Sequence, residues 1–315
     1  MVLADESPER TARVRAMTLE ADDVLTVELE LVDGSPAEWA PGAHIDLMLP
    51  DAPVRQYSLT GEPGTARYRI AVLREEHSRG GSKAVHERLR PGDLVTLRGP
   101  RNHFVLEPAA EYLFVAGGIG ITPILPMLHA AARAGARWHL LYLGSTRRRM
   151  AFLDEVMSIG SGSVTIVARD EGVRADLAEA LAARPDAAVY ACGPERMLAG
   201  LQELLPEGTG RLRLEYFAAP EVEYEPGAGF SVRLARTGVE LPVEPEQSVL
   251  EVMRSAGVDV LTDCEEGICG SCETHVLEGE VDHRDFVLTS QERQQMDCMM
   301  VCVSRASCPL LVLDA

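Results

Sequence analysis

The sequence predicts a multidomain chain of mixed α+β and α/β class: an antiparallel β-barrel, then a parallel-sheet α/β domain, then a small compact domain. Short β-rich segments separated by turn residues occupy the first third of the chain. Strands then alternate with helical stretches from about residue 109, and a cysteine-rich loop follows near the C terminus. With 315 residues the chain has room for two or three domains, since a domain averages roughly 150 residues.

Composition and charge exclude several classes of partner. The formal net charge of -19 argues against nucleic acid, whose phosphates require a basic face. The start, MVLADESPER, lacks the basic and apolar features of a secretory signal, and no stretch approaches the roughly 18 apolar residues of a membrane span. We therefore expect a cytoplasmic protein without a membrane partner, in which clustered cysteines serve as metal ligands.

Residues 1–108 are predicted to form the barrel, from the segments RVRAMTL, LTVELEL, HIDLMLP, YRIAVL and LVTLRG. Two pieces carry binding groups. RQYSLT, Arg55 to Thr60, offers a cation, an aromatic face and a hydroxyl that suit a phosphate, a planar ring and a ring nitrogen. RGGSKAVHERL places Gly80, Gly81 and Ser82 before a helix, where free N–H groups and a hydroxyl can hold an anion.

Residues 109–219 are predicted to form a parallel sheet with crossover helices. EYLFVA leads into GGIGITP and the helix ILPMLHAAARAG, and WHLLYLG, SVTIVAR, AAVYACG and RLRLEYF follow as further strands. Gly117, Gly118 and Gly120 end one strand, and CGP, Cys192 to Pro194, ends another. Ligands of such sheets bind at the carboxyl ends of strands, so the two turns predict a dinucleotide cleft.

The turn GSTRRR bears on the choice of nucleotide. It contains Ser145 and the arginines Arg147 to Arg149, and it lacks the acidic residue that usually accepts the ribose 2'-hydroxyl of NADH. The sequence at this turn leaves room for the 2'-phosphate of NADPH, or for an arginine that contacts only the adenosine phosphate or solvent.

A linker is predicted at residues 220–229, within AAPEVEYEPGAG, and a last domain at residues 230–315. FSVRLA and VELPVE alternate like a hairpin, SVLEVMRSAG reads as a short helix and LLVLDA as a closing strand. From Ala228 onward the sequence contains 16 acidic residues and 6 basic ones. This acidic surface suits a basic redox partner, and equally it suits a role in solubility alone.

The stretch CEEGICGSC is the most specific motif in the chain. Its C-x4-C-x2-C spacing, at Cys264, Cys269 and Cys272, is the plant-type [2Fe-2S] pattern, whereas a zinc ribbon would need two Cys-x-x-Cys pairs. Cys298, Cys302 and Cys308 are the candidates for the fourth ligand, and we select Cys302 from its position in the apolar run MMVCVS. Gly267 and Gly270 would let backbone N–H groups approach inorganic sulfide. Beside such a cluster and a dinucleotide fold, the barrel segments indicate a flavin.

The chain resembles the phthalate dioxygenase reductase family, the class IA reductases of Rieske oxygenase systems, over essentially its whole length. The matching motifs are CEEGICGSC, RQYS, GGS, GPRNHF, GGIGITP, CGP, EYF and CVSRA. The resemblance implies a C-terminal β-grasp ferredoxin domain, a flavin that is FMN rather than FAD, and NADH, with NADPH as the alternative. It implies that Ser58 helps to cradle the flavin, that Cys192 lies close to where hydride moves and that Phe217, at the end of EYF, covers the flavin face. These three are the predicted catalytic residues. The cofactor-binding residues it implies or the motifs suggest are Arg55, Gln56, Tyr57, Ser58, Gly80, Gly81, Ser82, Gly117, Gly118, Gly120, Thr122, Ser145, Arg147, Cys192, Gly193, Pro194 and Phe217.

The predicted function is to pass electrons from NADH through FMN and the [2Fe-2S] cluster, one at a time, to a terminal Rieske-type oxygenase. Hydride transfer requires stacking and orientation rather than a general acid or base, so His44, His86 and His103 are expected to be structural. Two alternatives remain open at this point: a reductase for a cytochrome P450 or other monooxygenase, and a redox carrier or sensor without rapid turnover.

Overall fold

The computed structural model describes residues 9–76, 80–205, 210–222, 224 and 227–315. The chain divides into two compact units, the first ending at Glu215 and the second running from Tyr216 to Ala315. Parts of the predicted barrel (residues 1–8 and 77–79) and of the predicted linker (residues 223, 225 and 226) lie outside the described residues. Within the described ranges, no helix has the length and apolar character needed to cross a membrane.

The first sheet of the first unit is antiparallel throughout, with strand order β4-β3-β6-β1-β2-β5. Its strands are β1 Arg10–Ala21, β2 Val24–Leu31, β3 His44–Met48, β4 Arg55–Ser58, β5 Arg67–Leu73 and β6 Leu94–Arg101, and helix α1 is Gly81–Glu87. The two edge strands meet where Leu59, just after β4, bridges Ile70 of β5. Alternate residues along the strands, such as Val14 and Leu29, form a continuous core, as the period-two pattern of the sequence predicts.

The second sheet of this unit is parallel, with strand order β11-β10-β7-β8-β9. Its elements are β7 Glu111–Gly117, α2 Ile121–Arg133, β8 Arg137–Gly144, α3 Leu153–Ser158, β9 Ser163–Ala168, α4 Leu177–Ala182, β10 Ala188–Cys192, α5 Glu195–Leu204 and β11 Leu212–Glu215. The chain adds strands on one side of β7 and then returns to add β10 and β11 on the other. The strand order therefore reverses between β7 and β10, which is where open α/β sheets bind ligands.

The helix α2 explains why the sequence folds in this way locally. Pro123 lies in its first turn, where a missing N–H costs nothing, and Gly135 just beyond its end has a φ of 68°. Most of its side chains are buried against the parallel sheet. The helix therefore begins directly from the glycine loop after β7, as predicted.

The second unit contains a mixed five-stranded sheet in the order β13-β12-β18-β14-β16 and a two-stranded pair, β15-β17. Its elements are β12 Phe230–Leu234, β13 Glu240–Val243, α6 Val249–Ser255, β14 Glu273–Glu278, β15 Val281–Asp282, α7 Ser290–Gln295, β16 Cys298–Met300, β17 Arg305–Ala306 and β18 Leu310–Leu313. The predicted hairpin is β12–β13, and the predicted helix is α6, which Ser248 and Glu251 close with a capping box. One predicted strand is shorter than expected, since RLRLEYF leaves the parallel sheet at Glu215.

Candidate functional site

The two segments predicted to hold a flavin lie against each other. A β-carbon built on Gly81 would lie 2.5 Å from Cγ of Arg55, so the Arg55 side chain crosses the glycine turn before α1. Gly80, with a φ of 111°, adopts a conformation that favours glycine. Ser58 is buried opposite His44 of β3, and Ser82 Oγ accepts a hydrogen bond from the N–H of Glu75. The structure therefore brings RQYS and GGS together.

A buried ion cluster on strands β3 and β6 holds strand β4 in place. Asp46 on β3 accepts two hydrogen bonds from Arg101, at 2.7 and 2.8 Å, and one from Arg98 at 3.0 Å. Gln56 Nε2 donates to the same carboxylate at 3.0 Å, so its side chain is engaged within the protein. Burial, with the nearby Arg101 charge, lowers the pKa of His44 to about 3, so this histidine is uncharged at neutral pH. Sequence reasoning did not find Asp46.

Two loops meet at the point where the order of the parallel strands reverses. The loop after β7 holds Gly117, Gly118 and Gly120, and the neighbouring strand β10 ends in Cys192 and is followed by Gly193 and Pro194. A β-carbon on Gly120 would lie 2.2 Å from the carbonyl oxygen of Cys192, and one on Gly117 would lie 2.5 Å from Cδ of Pro194. Thr122 closes the first turn through a 3.0 Å bond to the Ile119 carbonyl. The structure thus brings the predicted GGIGITP loop and the predicted CGP turn together.

Replacing Gly120 by alanine is expected to destabilise the first unit by about 2–3 kcal/mol and to weaken nucleotide binding, because the methyl group would overlap backbone and force the two loops apart. Gly160→Ala is the matched control, since nothing lies within 4 Å of a β-carbon there. Denaturant unfolding followed through Trp39 and Trp138, both in this unit, measures the difference. Equal stability of the two variants would show that the loops separate at no cost.

Cys192 and Glu215 are register partners at the ends of β10 and β11. Burial raises the pKa of the Cys192 thiol well above its ordinary value, so the group remains uncharged. Glu215 is partly exposed as a residue, but its Oε2 is buried without a hydrogen-bond partner among the described residues. Burial raises the pKa of this carboxyl to about 8. Sequence reasoning assigned Glu215 no role, because only the register of β10 with β11 places it beside Cys192.

The arginines after β8 are all paired with carboxylates. Arg147 Nε donates to Glu171 at 2.5 Å, Arg148 pairs with Asp22 at 3.2 Å and Arg149 with Asp23 at 3.3 Å. The carbonyl of Ser145 accepts the N–H of Asp170 at 3.1 Å, which brings the turn after β9 beside the arginines. A groove of about 440 Å³ is lined by the three arginines together with Asp22, Asp170 and Glu171. Glu171, in the turn after β9, thus places an acidic residue beside the arginines of the turn after β8.

Phe217 belongs to the unit that begins at Tyr216, and its side chain is exposed. Its neighbour Tyr216 packs against Phe286 with ring centroids 5.3 Å apart. Its proposed position over a flavin stays a prediction.

The cysteine-rich loop directs backbone N–H groups at sulfur. The N–H of Glu266 donates to Cys264 Sγ at 3.3 Å. A hydrogen bond from Cys269, together with backbone N–H groups, lowers the pKa of Cys264 to about 6. Gly267 and Gly270 have φ values of 72° and 74°, and a β-carbon on Gly267 would lie 2.7 Å from Val303. The loop needs glycine at these positions.

Among the three candidates for a fourth ligand, Cys302 lies beside the loop. Its sulfur is 3.1 Å from that of Cys272. Cys308 instead accepts the N–H of Glu280 at 3.1 Å and contacts the Leu310 carbonyl, and burial raises the pKa of Cys298 to about 12. Four neighbouring thiols with inward N–H groups form a donor set that fits a [2Fe-2S] cluster.

Comparisons with known proteins agree with this geometry. Residues 232–307 match the family model described as a 2Fe-2S iron-sulfur cluster binding domain. The chain is 42% identical over 309 residues to phenoxybenzoate dioxygenase subunit beta of Ectopseudomonas oleovorans, covering 96% of each chain. The solved structure of phthalate dioxygenase reductase matches with a TM-score of 0.68 and 34% identity, covering 98% of this chain and 99% of that one.

A second solved structure, an intact type IV self-sufficient cytochrome P450 monooxygenase, matches with a TM-score of 0.92 and 43% identity. The match covers 98% of this chain but only 41% of that one, so this chain spans about two fifths of that protein.

The fold and the site together define an NAD(P)H-dependent oxidoreductase that combines a flavin- and nucleotide-binding fold with a [2Fe-2S] domain. The chain belongs to the phthalate dioxygenase reductase family, whose members are reductase components of oxygenase systems.

Proposed function

We propose that this chain takes two electrons from NADH and passes them, through FMN and a [2Fe-2S] cluster, singly to a Rieske-type oxygenase. The observation that supports this best is the pairing, at the switch point of the parallel sheet, of the glycine loop after β7 with the CGP turn after β10. The cysteine-rich loop of the second unit provides an exit for single electrons.

The proposed division places FMN on residues 1–108, the nucleotide on residues 109–219 and the cluster on residues 230–315, with a linker at residues 220–229. Arg55, Tyr57 and Ser58 would hold the flavin ring, with Gly80 to Ser82 at its phosphate. Cys264, Cys269, Cys272 and Cys302 are the proposed cluster ligands. Burial raises the pKa of Tyr57 to about 12, so its hydroxyl remains a donor at neutral pH.

The protein's own contribution is to orient and to shield. FMN, when bound, supplies the conversion of a two-electron delivery into single electrons, which no side chain can perform. Cys192 offers an uncharged thiol and Glu215 a carboxyl that burial keeps protonated below pH 8. Neither group therefore places a negative charge at the proposed nicotinamide site at neutral pH.

The groove after β8 supports NADH over NADPH. Glu171 pairs with Arg147, with 2.5 Å between its Oε1 and the arginine Nε. The hydrogen bond from Arg147 lowers the pKa of Glu171, so the carboxylate is ionised. An ionised carboxylate accepts a hydrogen bond from a ribose 2'-hydroxyl but repels a 2'-phosphate. Because this ion pair is exposed, it contributes little to folding stability. We therefore assign it a role in the choice between NADH and NADPH.

Glu171→Gln is expected to raise kcat/KM for NADPH by at least about tenfold while changing that for NADH much less, because it frees Arg147 for a phosphate. Asp22→Asn is the matched control: it removes one charge from the same groove but from the partner of Arg148. Steady-state kinetics with both nucleotides would decide. An equal gain in the two variants would make the effect one of net charge only.

A reductase for a cytochrome P450 is the second candidate, and the match to about two fifths of a self-sufficient cytochrome P450 monooxygenase favours it. The dioxygenase reductases among the relatives favour the Rieske partner. Mixing the NADH-reduced protein with an isolated Rieske oxygenase and, separately, with a P450 would discriminate the two by which acceptor is reduced.

The proposal is tested by anaerobic titration of the purified holoprotein with NADH and then NADPH, followed by acid release of the flavin. Bleaching of flavin and cluster bands together by NADH, with FMN released, is the expected result. A cluster that neither nucleotide reduces would favour the carrier or sensor alternative, and release of FAD would refute the choice of flavin.

A further inference from the structure

One arginine of the first sheet reaches across to the parallel sheet. Arg69 lies on β5, and its guanidinium donates to both oxygens of Thr60: Nε to Oγ1 at 3.2 Å and Nη2 to the carbonyl at 2.8 Å. The same Nη2 lies 2.9 Å from Oε1 of Glu155 on α3. Thr60 is buried and follows Ser58 by two positions in the segment proposed to hold the flavin. Arg69 therefore ties that segment to helix α3.

Phe152, the residue just before α3, is held from the same side. The guanidinium of Arg69 lies 5.1 Å from the ring centroid of Phe152, and the Phe152 N–H donates to Glu20 of β1 at 3.0 Å. Phe152 has a φ of 60°, a conformation that a bulky residue adopts only where its surroundings enforce it. Two side chains of the antiparallel sheet thus fix where α3 begins.

From α3 the contacts continue to the nucleotide loop by two routes. Tyr142 is buried, and its hydroxyl lies 3.1 Å from the carbonyl of Ala151 and 3.2 Å from the carbonyl of Gly118. Glu155 also pairs at 3.3 Å with His129 on α2, the helix that begins from the glycine loop. Although burial opposes it, the bonds from His129 and Arg69 lower the pKa of Glu155, which stays ionised.

We propose that Arg69 and Glu155 are positioning residues for hydride transfer, which set the distance between the flavin-bearing segment at Thr60 and the nucleotide loop at Gly118. The inference rests on the proposed function, in which one hydride, that is one proton with two electrons, passes from the nucleotide to the flavin. Such a transfer is sensitive to separation, since a displacement of about 1 Å can cost about 100-fold in rate. Neither side chain needs to touch the reacting atoms.

Arg67 on the same strand offers a matched control. It pairs with Glu28 of β2 at 2.8 Å, within the antiparallel sheet. The side chains of that pair are 43% and 39% exposed, against 28% and 30% for Arg69 and Glu155. Both arginines line one open groove of about 560 Å³, so shortening either leaves no sealed cavity.

The test uses the holoprotein with the substitutions Arg69→Ala, Glu155→Gln, both together, and Arg67→Ala. In anaerobic rapid mixing with NADH, we expect the limiting rate of flavin bleaching to fall at least about tenfold in the first three, with the dissociation constant for NADH changed less than about threefold. The double variant should be no slower than the slower single one, because the pair acts as a unit. Arg67→Ala should match the parent protein.

Hydrogen exchange of the protein without nucleotide supplies a readout independent of turnover. Backbone amides near Thr60 and Gly118 should exchange faster together in Arg69→Ala and in Glu155→Gln, and not in Arg67→Ala. Rates and exchange equal to those of Arg67→Ala would overturn the proposal. If Arg69→Ala fails to fold, Glu155→Gln, which keeps the shape of the side chain, decides alone. A parent protein whose flavin NADH does not bleach would instead refute the proposed function.

Discussion

Substitution of Cys302 by serine is expected to abolish assembly of the iron-sulfur cluster while leaving reduction of the flavin by NADH nearly unchanged. Cys302 is the one fourth-ligand candidate whose sulfur contacts a loop cysteine, at 3.1 Å from Cys272. A backbone N–H from Gly267 also lowers the pKa of Cys302, after the larger effect of the Cys272 hydrogen bond. Losing a thiolate ligand should cost more than the 10–100-fold typical of outer-shell changes. Cluster-dependent electron delivery should therefore fall by more than about 100-fold.

Iron and sulfide content, together with the EPR signal after chemical reduction, would measure the cluster, and NADH-driven bleaching would measure the flavin. Cys308→Ser is the matched control, because that thiol lies in the same unit but is occupied by Glu280 and Leu310. A full cluster in Cys302→Ser and none in Cys308→Ser would reassign the fourth ligand. Equal loss of flavin reduction and cluster reduction would contradict the proposed order of transfer.

The parts of the site that the sequence predicted are those whose chemistry is local. The spacing of Cys264, Cys269 and Cys272 is set by one loop, and the positive φ values of Gly267 and Gly270 follow from the same need. The glycine loop at Gly117 is likewise predictable from the sequence, because a strand, a tight turn and a helix follow one another directly along the chain. Each of these features depends on residues near one another in the chain.

The parts that the sequence did not predict depend on pairing between distant segments. Glu171 reaches Arg147 only because β8 and β9 lie side by side, and Glu215 adjoins Cys192 only through the register of β10 with β11. A carboxylate in a turn is an ordinary solvated residue until the sheet order is known. The ion cluster around Asp46 was not predicted for the same reason: Asp46 lies on β3, whereas its arginine partners lie on β6, 52 and 55 residues further along the chain.

Glu215 should make the stability of the nucleotide-free protein depend on pH. Burial raises the pKa of its carboxyl from 4.5 to about 8, so the folded state binds a proton that the unfolded state releases. The stabilisation is complete below pH 4.5 and is lost as the pH rises through 8. Between pH 5 and pH 9 this one group should lower the free energy of unfolding by about 4 kcal/mol, at about 1.36 kcal/mol for each pKa unit.

Glu215→Gln should remove this dependence, because the amide carries no charge at any pH and has nearly the same shape. Unfolding of the parent protein and the variant, followed at matched pH, isolates the contribution of Glu215 from those of all other titrating groups. Glu203→Gln, at an exposed carboxylate on α5, is the control for the loss of one acidic side chain. Infrared absorption of a protonated carboxyl at pH 7, present in the parent and absent in Glu215→Gln, would identify the group directly. If the two pH profiles coincide, Glu215 is solvated and ionised at neutral pH, and the proposed nicotinamide site carries a negative charge.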